Sequence, residues 1–252
     1  MEIIAQTNLQ LYNQLRAQGY SDEQLVLVHR AYEFLITIYP GYYQADGKPF
    51  VAHTVGVASI LGYLDVAADL VAVGLLHNIY DNGDFGDGLR SVANAHRRRI
   101  VREAVGETIE AAIERFPRCR IKLETLSHLV RDLDQLDESH KRLLVIDLAD
   151  YLEKYIDLGV CYWGNSREVT DTVAKHGEAL ILIANRLGYP QLAAMLDRAF
   201  ALADAAQVPD SLRASSGWNE LDLIVPRSCR PRLRPVLRKR LDGLWRLVRR
   251  TA

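Results

Sequence analysis

Two consecutive apolar stretches, each interrupted by one histidine, constrain this chain more than any other feature. From Pro49 to Asn82 it reads PFVAHTVGVASILGYLDVAADLVAVGLLHNIYDN. His53 shares a helical face with Val57, Ile60, Leu61 and Leu64, and Leu70, Val73, Gly74 and His77 follow the same 3.6-residue period. Stretches this apolar must be buried, so each imidazole enters a core and needs a partner there. One such histidine is usually a hydrogen-bonded core residue; two on consecutive helices make a metal site an equal alternative. Two on consecutive helices can be aimed at one ion, because neutral imidazole is the commonest protein metal ligand.

The same period fills nearly every other segment, while strict two-residue alternation is almost absent; together these predict an all-α fold. Helices are expected over 4–17, 22–39, 91–104, 107–116, 121–133, 139–158, 168–187 and 191–206, beside the two that carry the histidines. Ser21 and Gln24 have the spacing of a capping box, and Pro40-Gly41 ends the helix that follows. Gly188 closes one late helix and Pro190 opens the next. Asp81–Gly88 places three glycines among polar residues and predicts a loop. Its acids do not have EF-hand spacing, and no glutamate closes it at the twelfth position, so it reads as a rim loop rather than a calcium loop.

With 252 residues, 49% hydrophobic and 25% charged, the chain can bury a substantial core without cross-links. Its three cysteines, Cys119, Cys161 and Cys229, lack metal-ligand spacing, and their odd number argues against a disulfide framework. A reducing, cytoplasmic setting is therefore expected. The N-terminal residues lack the pattern of a secretory signal, and no apolar run reaches the roughly 20 residues of a membrane span. The net charge of −1 hides an asymmetry: Arg227–Arg250 holds ten Lys or Arg and one acid, leaving 21 basic against 31 acidic residues elsewhere. The chain thus divides into a helical domain, 1–207, and an appendage, 208–252, of a proline-containing link and a basic amphipathic helix. Leu233, Leu237, Leu241, Leu244 and Val248 draw the apolar stripe of that helix. Such a tail suits an anionic partner, a homodimer seam or a face packed on its own domain.

The motifs carry a resemblance as well. Lys48-Pro49-Phe50-Val51-Ala52-His53, then Val57-Ala58 and Ile60-Leu61, then Gly74-Leu75-Leu76-His77-Asn78, resemble the metal-binding core of HD-domain phosphohydrolases. The hydrolase domain of the stringent-response alarmone synthetase/hydrolases is the most similar branch. Leu148-Ala149-Asp150 matches the stretch that carries the family's last ligand, so the similarity runs from about Ala31 to Leu158. The resemblance implies an HD-like helical bundle in which His53, His77 and Asp150 hold a divalent metal such as Mn or Fe. Asn78 stands where the family has a ligand aspartate, and an amide is a neutral, weaker oxygen donor. Asp81-Asn82 replaces a Glu-Asp pair, which leaves Asp81 for proton transfer. Gln44 replaces an arginine, and Lys154 an asparagine, that lie near the nucleotide in the alarmone hydrolases.

Three functional readings follow. The first is a diverged metal-dependent hydrolase of a phosphoester or nucleotide-like small molecule, distinct from an alarmone hydrolase. In the second, two histidines and one aspartate form a mononuclear non-haem-iron site, with His96 and His128 as spare histidines. In the third, the site is inactive and the chain is a binding or regulatory module.

Overall fold

A computed structural model describes residues 4–39, 41–44, 46–87, 89, 92–214 and 223–224, without the side chains of 167–170, 172, 173, 223 and 224. The described residues are overwhelmingly helical, as expected. The helices are α1 (Asn8–Ala17), α2 (Asp22–Ile38), α3 (Phe50–Tyr63), α4 (Ala68–Leu76), α5 (Ile79–Asn82) and α6 (Ala95–Val105). They continue with α7 (Glu107–Cys119), α8 (Leu126–Asp132), α9 (Glu138–Ile156), α10 (Ser166–Arg186) and α11 (Pro190–Ala205). One two-residue antiparallel pair joins β1 (Tyr43–Gln44) to β2 (Leu223–Ile224), with Tyr43 opposite Ile224.

Local chemistry sets most helix ends. The Ser21–Gln24 capping box is present in both directions. A second box, Thr7–Gln10, starts α1 at Asn8 rather than at Ile4. The residues before it are held differently: the Ala5 N–H donates to Ser59 Oγ of α3 at 2.9 Å. Asn94 caps α6 by accepting from the Arg97 N–H at 3.0 Å, so that helix begins at Ala95 instead of 91. The helical run also continues past His77 into α5, closed by the Asn82 N–H to Asn78 O bond of 3.0 Å, and the glycine-rich loop begins only at Gly83. Helix α7 runs three residues past its expected end, carrying Pro117 in its last turn.

The two histidine-bearing helices form the centre of the bundle. Nearly every residue of α3 and α4 is buried, which explains why both read as apolar all round. They pack on each other; α1 and α9 flank α3, α2 and α7 flank α4, and the α10–α11 hairpin lies on the other side of α9. Gly74 sets the α3–α4 approach, because a Cβ there would lie 2.4 Å from Leu61 Cδ1. The loop into α3 is tied by hydrogen bonds from the Gln44 N–H to Lys48 O and from the Phe50 N–H to Tyr42 O, each 2.8 Å.

Among the described residues no helix is long and apolar enough to cross a membrane. Residues 215–222 and 225–252, which include Cys229 and the expected basic helix, lie outside the described residues, so most of the 208–252 appendage does as well. Cys119 and Cys161 are buried free thiols.

Candidate metal centre

The bundle brings His53, His77 and Asp150 together, each about 1% exposed or less. His53 lies in the first turn of α3, His77 follows the last residue of α4 with helical backbone angles, and Asp150 faces them from α9. One ligating atom of each lies within 4.8 Å of the other two. His53 Nε2 is 3.1 Å and His77 Nε2 3.4 Å from Asp150 Oδ1. The imidazole centroids are 5.8 Å apart, and His77 packs edge-on against Phe116 at 5.4 Å. Leu143 and Ile146, on the same face of α9 as Asp150, are buried with it.

Outer partners orient both rings. His77 Nδ1 donates to the Gly74 carbonyl at 2.7 Å, which leaves a lone pair on Nε2. His53 Nδ1 bonds the carboxylate of Glu153, one turn beyond Asp150 on α9. Asp150 Oδ1 is buried, and no donor reaches it apart from the two ring nitrogens that face it. Three acceptor-type atoms therefore face one point, an arrangement that needs a proton or a cation. Donors on adjacent positions around an ion with bonds of about 2.1 Å lie about 3 Å apart, so the 3.1 and 3.4 Å separations fit a small divalent cation.

The electrostatics agree. Burial would lower the pKa of His53, but Glu153 and Asp150 overcome it and push the imidazole up to about 9. Burial would raise Asp150, yet Lys154 and the two imidazoles hold its carboxyl well below the usual range. Glu153 is likewise lowered against its burial by His53 and Lys48. Asp150 is thus a carboxylate, and His53 takes a proton when no cation stands between the three groups. Asp150 Oδ2 is occupied separately, by Lys154 Nζ at 2.8 Å and Arg120 Nη2 at 3.6 Å. Asp147, one turn earlier on α9, pairs with Arg120 Nε at 3.3 Å and accepts from the Ile121 N–H at 2.6 Å. Burial raises its pKa, which Arg120 offsets only in part.

Asn78 adjoins the cluster, with Nδ2 2.7 Å from His77 Nε2. A half-turn of its amide exchanges nitrogen for oxygen, so the residue has the chemistry of a neutral ligand. Asp81 is partly buried in α5 and acts electrostatically on Arg120 and Tyr39. His96 and His128 are exposed and stand outside the cluster. Sequence reasoning missed Glu153: it sits beside Lys154 on a helix rich in charge, and its partners are 100 and 105 residues away. Its i+3 spacing from Asp150 was the only local signal.

About half of this chain is similar to plant proteins named as putative GTP diphosphokinases. Over 138 residues it is 28% identical to "Putative GTP diphosphokinase RSH1, chloroplastic" of Arabidopsis thaliana. It is 27% identical over 134 residues to the protein of the same name from Oryza sativa subsp. japonica. Each match covers 52% of this chain but 15% of the relative, so the chain spans a small part of these relatives' length. Residues 34–120, which carry both histidines, match a family described as "Domain of unknown function (DUF6817)". The distant RSH1 similarity fits the stringent-response resemblance, and the buried His53–His77–Asp150 cluster fits a metal-dependent, nucleotide-related function.

Proposed function

We propose that this chain is an HD-like, metal-dependent hydrolase of a phosphoester or nucleotide-like small molecule. One observation carries the reading: His53, His77 and Asp150 converge on a point where no donor other than the two imidazoles reaches the buried Asp150 Oδ1. His53 and His77 would hold the ion through Nε2 and Asp150 through Oδ1, with Asn78 as a neutral fourth donor. An ion of the Mn(II) or Fe(II) type supplies electrophilic activation of a phosphoryl oxygen and of an attacking water. We assign proton transfer to Asp81, on the strength of the family resemblance.

Charge supports an anionic substrate. Three buried carboxylates, Asp147, Asp150 and Glu153, are matched by Lys48, Arg120 and Lys154. Arg120, about one-third exposed, and Lys154 form the solvent side of that set and are the cations an entering phosphate meets. The name of the RSH1 relatives, putative GTP diphosphokinase, supports a nucleotide-like substrate. Guanosine tetraphosphate itself is a poor substrate in this reading, because Gln44, Asn78, Asn82 and Lys154 replace groups the alarmone hydrolases use.

A second reading, an inactive binding module, is favoured by the Lys154–Asp150 bond of 2.8 Å, which diverts charge from the metal-facing carboxylate. A panel of nucleoside phosphates, phosphomonoesters and guanosine tetraphosphate, assayed with Mn(II) and with Fe(II) under inert gas, separates the two. The hydrolase reading expects metal-dependent turnover of a panel member other than guanosine tetraphosphate, lost in His53→Ala. Protein that holds metal yet turns over nothing supports the binding module.

A further inference from the structure

Glu153 is buried one turn beyond Asp150, and its two oxygens go to different partners. Oε2 accepts from His53 Nδ1, and Oε1 meets the ammonium of Lys48, which also bonds Asp157 Oδ2 at 2.8 Å. Glu153 is 1% exposed, and an isolated buried carboxylate would be costly, so the paired arrangement needs both partners in place. The backbone of α3 makes room for it. A Cβ on Gly56 would lie 2.8 Å from both Cγ and Oε1 of Glu153, so a glycine at this helical position lets the carboxylate lie flat against α3 beneath His53. Neither Glu153, Lys48 nor Gly56 faces the point where the three ligands meet.

We infer that Glu153 is a positioning residue that fixes His53 with its Nδ1 proton turned outward and its Nε2 lone pair aimed at the metal, and that Lys48 and Gly56 hold Glu153 in place. The inference rests on the metal-site reading above and extends it to a residue no ligand motif contains. A carboxylate accepting from a ligand's remote ring nitrogen fixes the ring's tautomer and rotation and makes the coordinating nitrogen more basic. The pairing of Lys48 with Glu153 also joins the loop before α3 to α9. The first and last ligands are thereby held in register by a contact other than the ion.

The test compares wild type, Glu153→Gln and Gly56→Ala. Glu153→Gln keeps shape and a hydrogen-bond acceptor but removes the charge. Gly56→Ala crowds the carboxylate without altering any polar group. Mn(II) affinity, measured by titration, is expected to fall roughly 10- to 100-fold in Glu153→Gln and to fall in the same direction in Gly56→Ala. In Zn(II)-loaded wild type, imidazole NMR is expected to show His53 coordinated through Nε2, with its Nδ1 proton shifted far downfield by the charged acceptor. In Glu153→Gln that proton moves back toward the ordinary imidazole position. Should the variants fail to fold, the wild-type spectrum alone decides: a His53 Nδ1 proton with no such shift overturns the inference. Unchanged Mn(II) affinity in a folded Glu153→Gln, with His53→Ala abolishing binding, overturns the role of Glu153 and leaves the metal site standing. Wild type that binds neither Mn(II) nor Zn(II) overturns the metal site, and the role of Glu153 with it.

Discussion

Asn78→Asp distinguishes a metal site from a satisfied polar core more sharply than removal of any ligand. Asn78 is 8% exposed, and its Nδ2 lies 2.7 Å from His77 Nε2. His77 donates its Nδ1–H to the Gly74 carbonyl, so an aspartate oxygen in the amide's place faces the Nε2 lone pair. Without a cation, a buried acceptor loses its donor, or the pair must capture a proton; either costs about 1–3 kcal/mol. For a chain of this size 1 kcal/mol moves Tm by about 2–4 °C, so the metal-free variant is expected to melt roughly 2–12 °C below wild type. With a cation present, the same carboxylate becomes a charged fourth ligand. Metal at 100 times its Kd contributes about 2.7 kcal/mol to the native state, enough to restore about 5–11 °C. Melting curves of both proteins, with and without Mn(II) or Fe(II), therefore expect a larger metal-induced rise in the variant. A drop in Tm that no divalent metal relieves refutes the reasoning.

Two further outcomes follow from packing and charge away from the cluster. Gly74→Ala drives a methyl group to 2.4 Å from Leu61 Cδ1, a side chain with no exposed surface, and overpacking of this kind costs about 1–3 kcal/mol. The better helix propensity of alanine offsets at most about 1 kcal/mol of that, so urea melts are expected to show net destabilisation; equal or higher stability contradicts the close α3–α4 contact. Asp87 accepts two bonds from the buried Arg97 guanidinium, and these hold its carboxyl down at about 2. A depressed carboxylate contributes stability above its unfolded pKa of about 3.9 and loses it as pH falls through the folded value. The stability gap between wild type and Asp87→Asn is therefore expected to close between about pH 4 and pH 2; a gap that persists below pH 2 contradicts the Arg97 pairing.

Much of the fold was legible because its signals are local. The period of Val57, Ile60 and Leu61, the Ser21–Gln24 box and the Gly188–Pro190 boundary depend only on neighbours along the chain, and all reappear in the structure. The Thr7–Gln10 box is equally local, and it starts α1 at Asn8 rather than at Ile4, while Ser59 of α3 holds the Ala5 backbone before it. The helix expected over 107–116 extends through Pro117 to Cys119, because a proline in a last turn leaves α7 intact. The convergence of His53, His77 and Asp150 was legible through a resemblance, since nothing near residue 150 alone distinguishes a buried aspartate from a solvated one. Glu153, Arg97 and Glu110 show the limit. Each is a charged residue on a charged helix, and each is buried because of a partner that only the tertiary fold supplies. Charge in sequence predicts exposure; an ion pair across 100 residues reverses it.

Metal analysis of the full chain, purified without chelator after Mn(II) or Fe(II) supplementation, tests the central claim most directly when wild type is set beside His77→Ala. His77 contributes one of the three converging donors, and it makes no hydrogen bond to the Lys48–Glu153–His53 series. The account predicts about one divalent ion per wild-type chain and its loss in the variant. Wild type that carries no metal, or a variant that retains the wild-type amount, would contradict it.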